Sequence, residues 1–169
     1  PTEGGIWIND QQVSDLTEAE FADFRLEHMG FIFQSFQLIP SMTAFQNIEL
    51  PLILKGESES SRKKITLAIL EKVGLTEFAD HYPSELSGGQ QQRVGICRAL
   101  IQEPKLILCD EPIASLDPNS SKVIMDLLKS ISTEMGITCL VNLHQVDVAQ
   151  RYSDRIIGLN KGEIVFTGT

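Results

Sequence analysis

The stretch LILCDEP, Leu106 to Pro112, sets four apolar residues ahead of two adjacent carboxylates and a proline. A run that short and that uniformly apolar predicts a strand buried on both faces, the kind found in parallel sheets covered by helices. Its acids, Asp110 and Glu111, then stand at the carboxyl end of the strand, where open α/β sheets bind ligands. The segments on either side agree. Downstream, Asn119 to Gly136 has a helical pattern ending in glycine, Ile137 to His144 (ITCLVNLH) is a second apolar strand, and Gln145 to Asp154 is a short helix. Arg155–Asn160 and Glu163–Gly168 close the chain as a pair of strands. Upstream, GGIWIND (Gly4–Asp10) and MGFIFQ (Met29–Gln34) read as strands. A helix starts near Thr17, where Thr17 and Glu20 have the spacing of a capping box. Strands joined by helices imply a parallel α/β core.

Between these strands lies a stretch of different character. From Phe45 to Gly74 the pattern is helical, broken only by the polar KGESESS (Lys55–Ser61). The expected organisation is a helical region over 35–83, with a boundary near Pro83, followed by a core segment over 84–169.

Composition excludes some classes of function. The chain has 169 residues, of which 42% are hydrophobic and 22% charged, as in an ordinary globular domain. A formal net charge of −9 argues against nucleic acid as partner, because phosphate-backbone binding depends on clustered Lys and Arg. Cys97, Cys109 and Cys139 are widely spaced inside apolar runs, which predicts buried reduced thiols in a reducing cytosol rather than a disulfide framework or zinc site. No apolar run has the length of a membrane span.

Three features accompany the acidic pair. In SELSGGQQQRVGICRAL (Ser84–Leu100), Ser87 suits a helix N-cap. Gly88 and Gly89 lack Cβ atoms, so the N–H groups of the first turn are open to an anion. For a bare Ser-Gly-Gly the plainer reading is a tight turn that starts a helix. Asp110 suits Mg²⁺, a hard ion held by one or two carboxylates, waters and substrate phosphates. Glu111 suits a general base acting on water. His144 ends the next strand and Gln34 ends MGFIFQ, both at the same sheet edge.

In order and spacing, Gln34, LSGGQ at Leu86–Gln90, LILCDEP, SLDP at Ser115–Pro118 and His144 resemble the nucleotide-binding domains of ABC transporters over almost the whole chain. The resemblance implies an α/β, P-loop NTPase-like parallel sheet core with a helical subdomain, ATP and Mg²⁺ as cofactors, and hydrolysis at a site shared by two subunits. It implies that Gln34 contacts Mg²⁺ and the attacking water, that Asp110 is associated with the metal, and that Glu111 is the catalytic base. His144 would contact the γ-phosphate. Ser87, Gly88, Gly89 and Gln90 would contact ATP bound to the opposite subunit, with Asp117 at the dimer interface. The implied partners are transmembrane permease subunits and a second copy of the chain, with no nucleic acid, and the implied location is the cytoplasmic face of the cell membrane.

The 169 residues contain no G-x-x-x-x-G-K-[ST] phosphate loop. PTEGGIWIND resembles the strand shortly after that loop in complete homologues. The expectation is a chain that begins downstream of the loop and lacks a strand beside LILCD and the aromatic that stacks on adenine. Such a chain by itself would be a poor ATPase. The two halves resemble different subtypes. FIFQSFQLIPSMTAFQNIELPLIL (Phe31–Leu54) is similar to lipoprotein-releasing and macrolide-export ATPases, whereas DEPIASLDP and the segment from Leu140 to Gly168 are similar to phosphonate importers. The resemblance implies that the first half forms the docking surface for the partner, so lipoprotein release or macrolide export is the expected type and phosphonate import the alternative. ATPases that act on DNA share several of the motifs but carry a long coiled coil before the signature. About fifty residues between Gln34 and Ser87 are too few for one at ~1.5 Å per residue.

Overall fold

In the computed structural model, which describes residues 4–8 and 10–169, β4 (Leu106–Asp110) is the middle strand of three. It pairs in parallel with β3 (Met29–Ile32) on one edge and with β5 (Thr138–Asn142) on the other. One face of β4 is fully covered, with Ile107 completely buried and Cys109 3% exposed, while Leu106 and Leu108 on the other face are half-buried against the cluster of Val13, Phe24 and Met29.

The chain passes from β3 to β4 through α2 (Ala44–Leu54), α3 (Glu59–Lys72) and α4 (Gly88–Leu100), and from β4 to β5 through α5 (Pro118–Met135). The last of these buries Ile124, Met125, Leu128 and Ile131, spaced so that one face of the helix lies on the sheet. Gly136, at φ 67°, ends it in the left-handed conformation that glycine adopts without a Cβ penalty.

VGICRALI (Val94–Ile101) is apolar almost all round, so α4 is covered from two directions. Ile96, Ala99 and Leu100 join the cluster under the sheet, while Val94, Cys97 and Ile101 join a second cluster with Ala44, Ile48 and Leu52 of α2 and Leu70 of α3. Ile69 and Leu127 pack against both clusters. Asn47, wholly buried, fixes the approach to α2. Its Oδ1 accepts from the Ile39 N–H at 2.8 Å, and its Nδ2 donates to the carbonyls of Met42 and Thr43, each at 3.0 Å.

Sheet and helix approach closely at Gly30 of β3. A Cβ there would lie 3.1 Å from the Ala99 Cβ and 3.2 Å from the Ala99 carbonyl oxygen, so α4 would have to move away from β3. Gly30→Ala is therefore expected to destabilise the chain by about 1–3 kcal/mol, the usual scale for overpacking. Chemical denaturation checks this, and an unchanged midpoint would show that the helix shifts freely.

The N-terminal segment is arranged differently from a single strand over Gly4–Asp10. Two-residue strands β1 (Trp7–Ile8) and β2 (Gln11–Gln12) pair antiparallel, and residue 9 of that stretch lies outside the described residues. Thr17 caps α1 (Glu18–His28) with the expected box: its N–H donates to Glu20 Oε2 at 2.9 Å, and its Oγ1 accepts from the Glu20 N–H at 3.3 Å. The short α6 (Val146–Tyr152) leads to β6 (Ile156–Asn160) and β7 (Glu163–Gly168). These form an antiparallel hairpin through Lys161 and Gly162, both with positive φ, as a two-residue type I′ turn requires.

Two expectations are corrected. No strand is wanting beside Leu106–Asp110, because the crossovers supply a partner on each edge of β4. Nor is every strand covered on both faces. Among the described residues β5 pairs only with β4, its residues alternate between exposed and half-buried, and Leu140 is 60% exposed. All three cysteines are free. Cys97 and Cys109 are buried, and Cys139 is half-buried. Burial pushes the Cys97 thiol up to about 12 and raises that of Cys109 further, so neither is a thiolate at neutral pH.

Candidate active site

The parallel register brings three strand ends to one edge. Ile32 lies opposite Cys109 and Asp110 opposite Asn142, so Gln34, Asp110, Glu111 and His144 all leave the sheet on the same side. Asp110 is exposed, and its Oδ1 accepts from Asn142 Nδ2 at 3.0 Å. The Glu111 N–H continues the ladder to the Asn142 carbonyl at 3.2 Å, after which the chain turns and the Glu111 carbonyl accepts from the Ala114 N–H.

That turn places Glu111 at φ 46°, a left-handed conformation that a residue with a Cβ holds only at a cost of about 1–3 kcal/mol. The strained backbone aims the side chain across to the end of β5. There His144 Nε2 stands 2.6 Å from Glu111 Oε1, with the histidine side chain 75% exposed and the glutamate 24% exposed. A neutral imidazole makes this contact by donating Nε2–H to the carboxylate. The carboxylate is thus held in one direction while the imidazole stays open to solvent and to any anion that approaches.

Hard oxygen donors at this edge fit Mg²⁺. Asp110 offers a carboxylate and Gln34 an amide oxygen, and both side chains are exposed. Among the described residues there is no cluster of three or more His, Cys, Asp or Glu that could hold a metal.

The signature residues form a second cluster. Ser87 caps α4 reciprocally: its Oγ accepts from the Gln90 N–H at 3.3 Å, and its N–H donates to Gln90 Oε1 at 2.7 Å. Gln90 is therefore a capping residue, a role legible in the Ser-x-x-Gln spacing. The glycines permit a close fit within the chain. A Cβ on Gly88 would meet Leu116 Cδ2 at 3.2 Å and the Phe36 ring at 3.6 Å, and one on Gly89 would meet Ser120 Oγ at 3.0 Å. Ser87 and Gly89 share a small cleft with Asn119, Ser120 and Arg93, so the signature groups with the start of α5.

Asp117 is the N-cap of α5, its Oδ1 accepting from the N–H groups of Asn119 at 3.0 Å and Ser120 at 3.1 Å. The Ser120 hydroxyl and backbone N–H, together with the Asn119 N–H, hold its carboxyl below the usual carboxylate range. The folded-state pKa is thus lower than the unfolded one. The stabilisation is fully present above the unfolded pKa and is lost as pH falls through the folded value. Asp117→Ala should lower the melting temperature at neutral pH, with the gap from the parent closing on acidification. A gap independent of pH would contradict the capping role.

The apolar, weakly charged run from Gln34 to Leu54 predicts a contact surface with Phe36, Leu38 and Phe45 exposed, and the structure departs from that. Phe36, Leu38 and Phe45 are half-buried rather than exposed. Phe36 lies over Gly88, while Leu38 and Phe45 pack on the helical cluster. The apolar residues that do face solvent in this region are Phe33, Ile53 and Leu54. Phe36 and Gln37 both have positive φ, and Arg98 of α4 holds them, its Nη1 donating to the Gln37 carbonyl at 2.7 Å and its Nη2 to that of Phe36 at 3.2 Å. Neither Arg98 nor Asn142 stands out in sequence, because what each touches lies 32 or more residues away. A cavity of ≈ 680 Å³ lies away from these groups. Its walls come from α3, α5 and the end of α4, and they are mainly aliphatic, including Ile65, Ile69 and Ile131.

Residues 1–114 match the family described as ABC transporter. A phosphonates-import ATP-binding protein of Oceanobacillus iheyensis is 51% identical over 176 residues, covering 99% of this chain and 68% of its own. The ABC transporter ATP-binding protein YtrE of Bacillus subtilis is also 51% identical, covering 88% of this chain and 64% of its own. The ATP-binding cassette MJ0796 of Methanocaldococcus jannaschii, solved as a dimer in a post-hydrolysis state bound to ADP and Pi, superposes with a TM-score of 0.89 at 44% identity, over 99% of this chain and 74% of that one. The chain thus spans about two thirds of the length of the curated relatives it matches. The sheet edge with its acid pair, the capped Ser-Gly-Gly helix and these matches agree: the chain belongs to the ABC transporter family, among its ATP-binding subunits.

Proposed function

We propose that this chain hydrolyses ATP at a site completed by a second copy of itself, and that the hydrolysis drives a membrane permease. The observation that carries the reading is the 2.6 Å contact between His144 and Glu111 at the edge of a parallel sheet. In this role Glu111 takes the proton of the attacking water, and His144 steadies the carboxylate and then the γ-phosphate. Asp110 and Gln34 would hold Mg²⁺, which supplies charge stabilisation to the phosphates when bound. The N–H groups of the Gly88–Gly89 turn, at a helix N-terminus, would face the γ-phosphate held by the partner copy, with Ser87 and Gln90 fixing that turn and Asp117 at the interface. In support, the signature and the catalytic pair form separate clusters within one chain. Mg²⁺-dependent release of phosphate from ATP by the complete gene product tests the reading, and ATP turnover at background would end it.

In this reading residues 35–83 form the helical subdomain and docking surface, and 84–169 the signature helix and catalytic core. No helix among the described residues is long and apolar enough to cross a membrane. In this reading the subunit would sit on the inner face of the membrane through its permease. Two substrate classes have support. Phosphonate import is favoured by 51% identity over 99% of the chain to a phosphonates-import protein. Lipoprotein release or macrolide export is favoured by the resemblance of Phe31–Leu54, the segment that would meet the permease. Cysteine at position 54, where Leu54 is 67% exposed, should crosslink to a transmembrane protein in cells, and the permease captured identifies the class. Crosslinks to cytosolic proteins alone would count against the docking assignment.

A further inference from the structure

Gln92 of α4 is completely buried, yet it is polar and belongs to neither cluster of site residues. Its Nε2 donates to the Pro112 carbonyl at 2.6 Å and to the Phe33 carbonyl at 3.3 Å. Pro112 immediately follows Glu111, and Phe33 immediately precedes Gln34. One amide group therefore joins the backbone beside the base to the backbone beside the residue assigned to water and metal. Its Oε1 is buried without a partner. An unsatisfied buried acceptor is unfavourable, and a leucine or methionine would fill the same space without it. Packing alone does not account for a glutamine here.

The second tie lies further along the same helix. Arg98 holds the carbonyls of Phe36 and Gln37, so the segment 33–37 is bonded to α4 at both ends while two of its residues sit at positive φ. The N-terminus of this helix carries the Ser87–Gln90 turn. We infer that Gln92 is a positioning residue, which locks Gln34 and Glu111 to the signature helix so that any displacement of α4 reaches both at once. This rests on the hydrolytic reading above and adds the element that aligns its parts.

The test uses the complete gene product and two variants. Gln92→Met keeps the length of the side chain and removes both donors. Gln92→Asn keeps the amide but is one methylene too short to span the two carbonyls. In both, kcat for ATP should fall by ~10- to 100-fold, the scale of a small misplacement of reacting groups, with KM changed far less. Amide hydrogen exchange should quicken together at residues 34–37 and 111–116 and stay unchanged in the cluster of α2 and α3. An unchanged kcat, equal losses of kcat and apparent ATP affinity, or loss of the folded state in both variants would overturn the inference and leave Gln92 a packing residue. A parent protein without ATPase activity would instead overturn the hydrolytic reading, and the exchange pattern would still decide whether Gln92 couples the two segments.

Discussion

Replacing Glu111 with Gln in the complete gene product should reduce steady-state ATP hydrolysis by ~10²–10⁴-fold, the range over which a positioned general base acts. The substitution keeps the shape of the side chain and a group able to meet His144, so the strained turn at φ 46° and the pairing of Glu111 N–H with Asn142 remain. Only the acceptance of a proton is removed. ATP binding should survive, and the variant should accumulate as an ATP-bound dimer, because closure needs nucleotide and reopening needs its hydrolysis. Size-exclusion chromatography with ATP, alongside phosphate release, reads both. Hydrolysis near the parent rate would show that another group takes the proton.

The second large effect is expected at the signature. Gly89→Asp places a carboxylate where the first turn of α4 offers its N–H groups, and should cut hydrolysis by ~10²–10³-fold, the scale for losing a preorganised donor to developing charge. The new side chain also meets Ser120, since even a Cβ would lie 3.0 Å from its Oγ. Packing and chemistry are separable. Gly89→Ala combined with Ser120→Gly opens the space without introducing charge, so it should recover stability and most of the activity, whereas Gly89→Asp with Ser120→Gly should recover stability alone. Equal recovery in the two double variants would assign the glycine to packing against α5.

Some of this was legible in the chain and some was not, for physical reasons. Leu106–Pro112 announced its strand because four apolar residues ending in two acids fit few environments other than a covered parallel strand and its carboxyl end. Thr17 and Ser87 announced their helices because a cap is local, decided by a side chain and a backbone N–H three residues on. Arg98 and Gln92 gave no signal, since their partners are carbonyl groups 20 to 62 residues distant and a carbonyl carries no residue identity. The apolar run around Phe36 suggested an exposed contact surface, but composition does not distinguish a ring facing solvent from one lying on Gly88. The open edge of β5 was likewise hidden, because Leu140 and Val141 are as apolar as residues of a covered strand.

In the proposed function Glu111 of one copy and the signature of the other act on the same phosphate. Mixing the Glu111→Gln and Gly89→Asp proteins, each inactive alone, tests it most directly. In a two-fold dimer the mixed species carries one site with both faults and one with neither, so a 1:1 mixture that exchanges subunits should regain on the order of a quarter of the parent activity. If Glu111 and Gly89 instead served the same site within one chain, every site would keep one fault. The mixture would then stay as inactive as its components, and the shared-site account would be contradicted.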